Sequence, residues 1–172
     1  MRRLASFDLK FPLLFIVAFV LQFSLSQLAA TFNFSKDFAF YILILTYVLL
    51  LIGVLLNGKN RYVLVMGLGI FLNFLVIVLN GGMPVSLKAI ERFGSPEVAL
   101  RIEQLSDFIH VPMGGETVIG FLADVIPAPA LFPFGMSLVS IGDILLSLGV
   151  FLFVQKQMVY VGKRRLKKKR VK

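Results

Sequence analysis

Apolar residues fall along this chain in four long runs, at 11–30, 38–56, 62–79 and 135–154, parted by short polar breaks and one long mixed segment. Each run suits a helix crossing roughly 30 Å of hydrocarbon at about 1.5 Å per residue. The pattern predicts an all-α fold: an integral membrane bundle of four transmembrane helices. Residues 1–155 form one membrane domain, and 156–172 form a basic tail. The first run follows Arg2 and Arg3, as a secretory signal would. It is long, however, and Gln27-Leu28-Ala29-Ala30 makes a poor cleavage site, so a retained helix is expected.

Composition agrees with that picture. Apolar residues make up 58% and charged residues 16%, against about a quarter charged in soluble domains. There are no cysteines, which excludes disulfides, thiolate metal sites, cysteine nucleophiles and lipidation of a lipobox cysteine. The net charge of +9 suggests nucleic acid until it is located. Residues 156–172 hold nine Lys or Arg and no acid, and the rest of the chain balances nine bases with nine acids. The basicity is terminal, so no nucleic-acid face is expected. The tail reads as a topological anchor; binding to anionic lipid is the other reading, at about 1 kcal/mol per basic residue.

Basic residues also orient the bundle. The first ten residues carry three, the 57–61 turn two and the tail nine. The opposite side carries four: Lys36, Lys88, Arg92 and Arg101. Both termini are therefore expected in the cytoplasm, and the loop 80–134 outside, as an extracytoplasmic cap of short helices. It opens with Asn80-Gly81-Gly82-Met83-Pro84-Val85-Ser86, where glycines and proline force a turn. Ser86 can cap a short helix ending at Gly94, and Ser95-Pro96-Glu97 can open a second. In that second helix Val98, Ile102, Leu105 and Ile109 form an apolar stripe. The run 117–130 is apolar, too short to span and ended by two prolines, so it reads as a re-entrant or interfacial segment. Asp107, His110 and Glu116 match no common metal spacing, and no metal or cofactor is expected.

Two carboxylates stand out. Counted from residue 135, Asp143 lies eight residues into the fourth run, on a polar stripe with Ser137, Ser140 and Ser147. An ionisable group at such depth costs several kcal/mol unless paired or hydrated, and commonly marks function. A structural reading has it hydrogen-bonded to the serines and to Asn73 of the third run. Asp124 lies 19 residues earlier, and the chain between could fold back so that the carboxyls meet. Two close carboxylates share a proton, the arrangement by which an aspartic peptidase activates water.

Three motifs, Asn80 to Ser86, Phe121-Leu122-Ala123-Asp124-Val125-Ile126-Pro127-Ala128-Pro129 and Ser140-Ile141-Gly142-Asp143-Ile144-Leu145, together resemble a family of small bacterial multi-pass membrane proteins of unknown function. That resemblance implies a bacterial cytoplasmic (inner) membrane location and no particular activity. A looser resemblance is to the lipoprotein signal peptidases, four-span enzymes with one catalytic aspartate before and one within the last span. It implies catalytic roles for Asp124 and Asp143. The chain lacks that family's Asn-x-Gly stretch between spans one and two and its Gly-Asn-x-x-Asp-Arg signature. Two functions follow as expectations. The first is binding of a small ligand or protein partner at the extracytoplasmic mouth, with Asn73, Asn80, Ser140 and Ser147 as ligand-contacting or structural polar groups. The second is an aspartyl-dyad membrane hydrolase acting at the outer leaflet of the lipid bilayer. No protein partner is identified.

Overall fold

The computed structural model describes residues 9–93, 99, 100, 102, 108–128 and 137–170. Four long helices dominate it: α1 (Pro12–Thr31), α2 (Lys36–Leu56), α3 (Arg61–Asn80), and, after a short α4 (Leu87–Phe93), α5 (Ile141–Arg170). Local chemistry sets their ends. Proline opens α1, Ser35 Oγ accepts from Phe38 N at 3.2 Å before α2, and Asn60 Oδ1 accepts from Tyr62 N at 3.1 Å before α3. Gly81 ends α3 in the left-handed region at φ 71°, where a side chain would be strained.

Three of these, α2, α3 and the Ile141–Met158 part of α5, are long and apolar enough to cross a membrane; Pro12–Leu25 of α1 is a shorter apolar stretch. Large apolar side chains such as Phe19, Tyr41, Leu55 and Phe151 stand exposed around the helices. A surface that greasy belongs in lipid. This is a multi-pass membrane protein.

The long helices pack in chain order: α1 on α2, α2 on α3, and α3 on α5 most extensively. Glycines make that last seam close. A Cβ on Gly69 would strike the Gly142 carbonyl, and one on Gly149 would lie 2.6 Å from Met66 N. Small residues let backbones approach in this way where lipid supplies no hydrophobic drive. Leu25, Leu43, Val76 and Ile77 are among the buried residues of the core between the helices.

The cap differs from an all-helical one. Strand β1 (Met83–Val85) pairs in parallel with β2 (His110–Pro112), and β3 (Ile126–Ala128) pairs antiparallel with β4 (Ser137–Val139). Of the two expected cap helices, α4 forms behind Ser86, whose Oγ accepts from Ala89 N at 3.3 Å. The second is helical at Ala99, Leu100 and Ile102, while Val98 and Leu105 lie outside the described residues. Ile109 leaves the expected stripe: its carbonyl accepts from Met83 N at 2.8 Å as the chain enters β2. The segment at 117–130, expected to be re-entrant or interfacial, has an irregular backbone. A 3-10 turn (Gly120–Leu122) and β3 make up much of it, and Leu122, Ala123 and Asp124 are buried against protein. Its apolar tip is less covered, with Phe121 69% exposed.

The last helix also starts later than its apolar run. Residues 137–139 are strand, and α5 opens at Ile141. Ser140 supplies the reason, a cap described below. Asp143 therefore sits in the first turn of α5 and not eight residues deep. Beyond its span α5 continues without a break to Arg170, carrying the basic tail on the same helix.

Candidate functional site

Ser140 and Asp143 form a reciprocal cap at the start of α5. Ser140 Oγ accepts from Asp143 N at 3.0 Å, and Asp143 Oδ2 accepts from Ser140 N at 3.0 Å. This is a capping box with aspartate in the usual glutamate position, and it satisfies two amides that a helix start leaves bare. Asn73 of α3 completes the cluster: its Nδ2 donates to Asp143 Oδ1 at 2.7 Å, and its Oδ1 accepts from Ser140 Oγ at 2.8 Å. Gly142 leaves the room, since a Cβ there would collide with Asn73 Oδ1. Both oxygens of Asp143 are thus held, one by its own helix and one by its neighbour.

Asp124 is held quite differently. Its backbone bridges to β1, with Asp124 N donating to Pro84 O at 2.9 Å and Ser86 N donating to Asp124 O at 3.3 Å. Strand β1 thus has Asp124 along one side and β2, carrying His110, along the other. The side chain is buried; Oδ2 lies 3.7 Å from His110 Nε2, and Oδ1 has no hydrogen-bond partner among the described residues. Burial pushes its pKa up to about 7, the Asp143 charge adds to the rise, and His110 opposes it. The two carboxylates therefore feel each other electrostatically.

Below this pair the helices present a tier of polar side chains over an apolar cleft. Gln22 Nε2 donates to the buried Tyr47 hydroxyl at 3.3 Å, and Tyr47 lies within electrostatic reach of Asp143 and Asp124. The Tyr47 ring lies 6.3 Å from that of Phe74, next to Asn73. Gln22, Tyr47, Asn73 and Asp143 come one from each long helix. On α3 the residues Val63, Met66 and Ile70 share a helical stripe with Asn73; on α5 Leu146, Val150 and Phe153 share one with Asp143. Those six line a cleft of about 760 Å³ whose other wall is α1, through Phe15, Phe19 and Phe23. Gln22 is the polar side chain in its lining, and Ile109, beside His110, closes its cap end.

The residues singled out in the sequence have distinct fates. Asn73, Ser140 and Asp143 meet, with Asp124 nearby. Asn80 lies apart: it fastens the cap to α3, accepting from Val118 N at 2.8 Å and donating to Val118 O at 3.0 Å. That clamp holds Ile119 in the left-handed region at φ 55°, unusual for a β-branched residue. Ser147 is exposed on α5, one turn beyond Asp143. The side chain of Ser137 and all of Asp107 lie outside the described residues, and Glu116 is exposed. Among the described residues no group of three His, Asp or Glu could hold a metal ion. Sequence reasoning missed His110, Tyr47 and Gln22 as members of this region. Tyr47 and Gln22 each interrupt an apolar run, the one signal that pointed to them.

The three motifs converge here, the first as β1 and its turn, the second as the Asp124 segment, the third as the α5 cap. The chain matches the DUF5317 family, a family of unknown function, over residues 6–155. It belongs to that family. No curated protein and no solved structure matches it.

Proposed function

We propose that this DUF5317 protein binds a small ligand bearing a hydrogen-bond donor or a positive charge at the extracytoplasmic mouth of its bundle. One observation carries the reading: Asp124 Oδ1 is buried without a partner among the described residues. A buried carboxylate oxygen left bare costs about 1–3 kcal/mol or more, and a donor from a ligand would recover it. His110, whose side chain is 33% exposed, borders the way in. The placement of the site outside rests on the basic residues gathered at the opposite end, and a bacterial cytoplasmic membrane as location on the resemblance carried by the three motifs. In this reading Asp143 is a positioning residue, its charge balanced by Asn73 and the cap. The test is thermal stabilisation of the purified full-length protein by small primary amines. Wild type should be stabilised and Asp124→Asn should not; equal behaviour of the two would sink the proposal.

A second reading, an aspartyl-dyad hydrolase, is favoured by the raised pKa of Asp124 beside Asp143. Such a pair can hold one proton between two carboxyls, as an acid and a base require. Against it stands the full hydrogen-bonding of Asp143 by Asn73 and the Ser140 cap. Hydrolysis of a membrane-anchored peptide, lost in both Asp124→Asn and Asp143→Asn with folding intact, would displace the binding proposal.

A further inference from the structure

The cleft below the polar tier has the shape of an amphiphile. We infer that the ligand is a single-chain membrane amphiphile, its hydrocarbon tail in the cleft between α1 and α5 and its polar head at the cap end, where Gln22 lines the cleft and Ile109 leads to the His110–Asp124 site. The inference rests on the ligand-binding reading above and names the class of ligand.

Polarity is ordered along the cleft. The stripes Val63–Met66–Ile70 and Leu146–Val150–Phe153 are wholly apolar, and each ends, three residues nearer the cap, in a polar side chain of the cluster, Asn73 or Asp143. Of the tier, Gln22 lines the cleft itself and is hydrogen-bonded to Tyr47, so the cleft has one polar end, as a molecule with one polar end requires. Continuity with the carboxylate site is direct: Ile109 lines the cleft, and the next residue, His110, faces Asp124. Entry is lateral. Phe19 and Phe23, with rings 6.2 Å apart, are 66% and 76% exposed along the rim, so a chain can pass in from the bilayer. Charge complementarity selects the head, because two carboxylates and one imidazole favour a cationic or donor-bearing group over an anion. A volume of about 760 Å³ lies within the range of about 300–1,000 Å³ usual for small-molecule sites.

The experiment uses the full-length protein in phosphatidylcholine nanodiscs with two probes, ethylamine and a hexadecylamine carrying a diazirine at the tail end. Photolysis should place adducts on cleft residues such as Phe15, Val150 and Phe153, and not on Tyr41 or Leu45, which are exposed on α2. Ile70→Trp and Val150→Trp should each lower cleft labelling at least about tenfold, equivalent to about 1.4 kcal/mol, while ethylamine still stabilises through Asp124. Equal labelling of Tyr41 and the cleft would mean ordinary partition into bilayer and overturn the inference, leaving the head site standing if ethylamine stabilisation persists. A photochemical link to a second copy through cleft residues would also overturn it, by making another chain the occupant. If ethylamine stabilises wild type and Asp124→Asn alike, the ligand reading itself falls, and the inference with it.

Discussion

Helix α5 faces two neighbours and treats them in opposite ways. Toward α3 it presents Gly142 and Gly149, and the backbones come so close that no side chain could be added. Toward α1 it presents Leu146, Val150 and Phe153, and there a cleft remains. The seam is also polar at its cap end, where Asn73 holds Asp143 and Ser140. The cleft has apolar walls throughout and one amide, Gln22. In water such a cleft would close, because burying its walls would be strongly favourable. In lipid a hydrocarbon wall is equally content against an acyl chain, so only close packing and polar contacts join helices. The comparison teaches that the seam is where this molecule is held together and the cleft is where it has room to act.

The largest effect expected lies at the roof over both regions. A raised Asp124 pKa means that the folded state binds a proton more tightly than the unfolded chain, whose value is the ordinary 3.8. The resulting stability is fully present below about pH 4 and is lost as pH rises through about 7. The swing is on the order of 4 kcal/mol at one pKa unit per 1.36 kcal/mol. Melting curves of the purified protein between pH 4 and pH 8 should show this decline, and Asp124→Asn should flatten it. A decline that survives in the variant would assign the titration to another group.

Next comes the seam. Gly142→Val should force α5 off Asn73 and cost about 3 kcal/mol, at the upper end of ordinary overpacking. Folded yield and Tm would measure it, and an unchanged Tm would mean that the seam is looser than described. Asn73→Ala should cost less, about 1–2 kcal/mol, since hydrogen bonds between helices in membranes are modest. Part of that loss is Asp143 left with its cap but without its neighbour. Asn73→Asp should be worse than Asn73→Ala, because it sets a second carboxylate against Asp143.

The smallest effect sharpens the contrast. Val150→Trp places bulk in open space, so Tm should move by less than about 1 kcal/mol equivalent, against the usual 1–3 kcal/mol for overpacking. A loss as large as that of Gly142→Val would show the cleft to be filled by the protein itself.

Much of this architecture was legible residue by residue. Ser35, Ser86 and Gly81 mark their helix ends by local backbone chemistry, and the apolar runs announce the spans by length. The start of α5 was not legible from hydropathy, because residues 137–139 are as apolar as a helix and yet pair with β3. Ser140-x-x-Asp143 carries the true boundary, but within an apolar run the same aspartate reads as an intramembrane charge. The strands of the cap were hidden for another reason. Three-residue strands have no period to detect, and their partners lie far away, Met83 opposite His110 and Val85 beside Asp124.

By itself the sequence determined a helical membrane chain, its spans, its basic end and the two carboxylates worth attention. Those properties are local or additive: transfer of apolar runs into lipid, caps made within a turn, charges counted along the chain. Only the tertiary structure decided that both oxygens of Asp143 are hydrogen-bonded while Asp124 Oδ1 has no partner among the described residues, that Asn80 clamps the cap instead of joining the site, and that Gln22 and Tyr47 belong beside Asn73. It also decided that α1 and α5 stand apart around a cleft. Each depends on which helix faces which, and in a bilayer that choice is made by glycines and single polar pairs distant in sequence, which no run of hydrophobicity records.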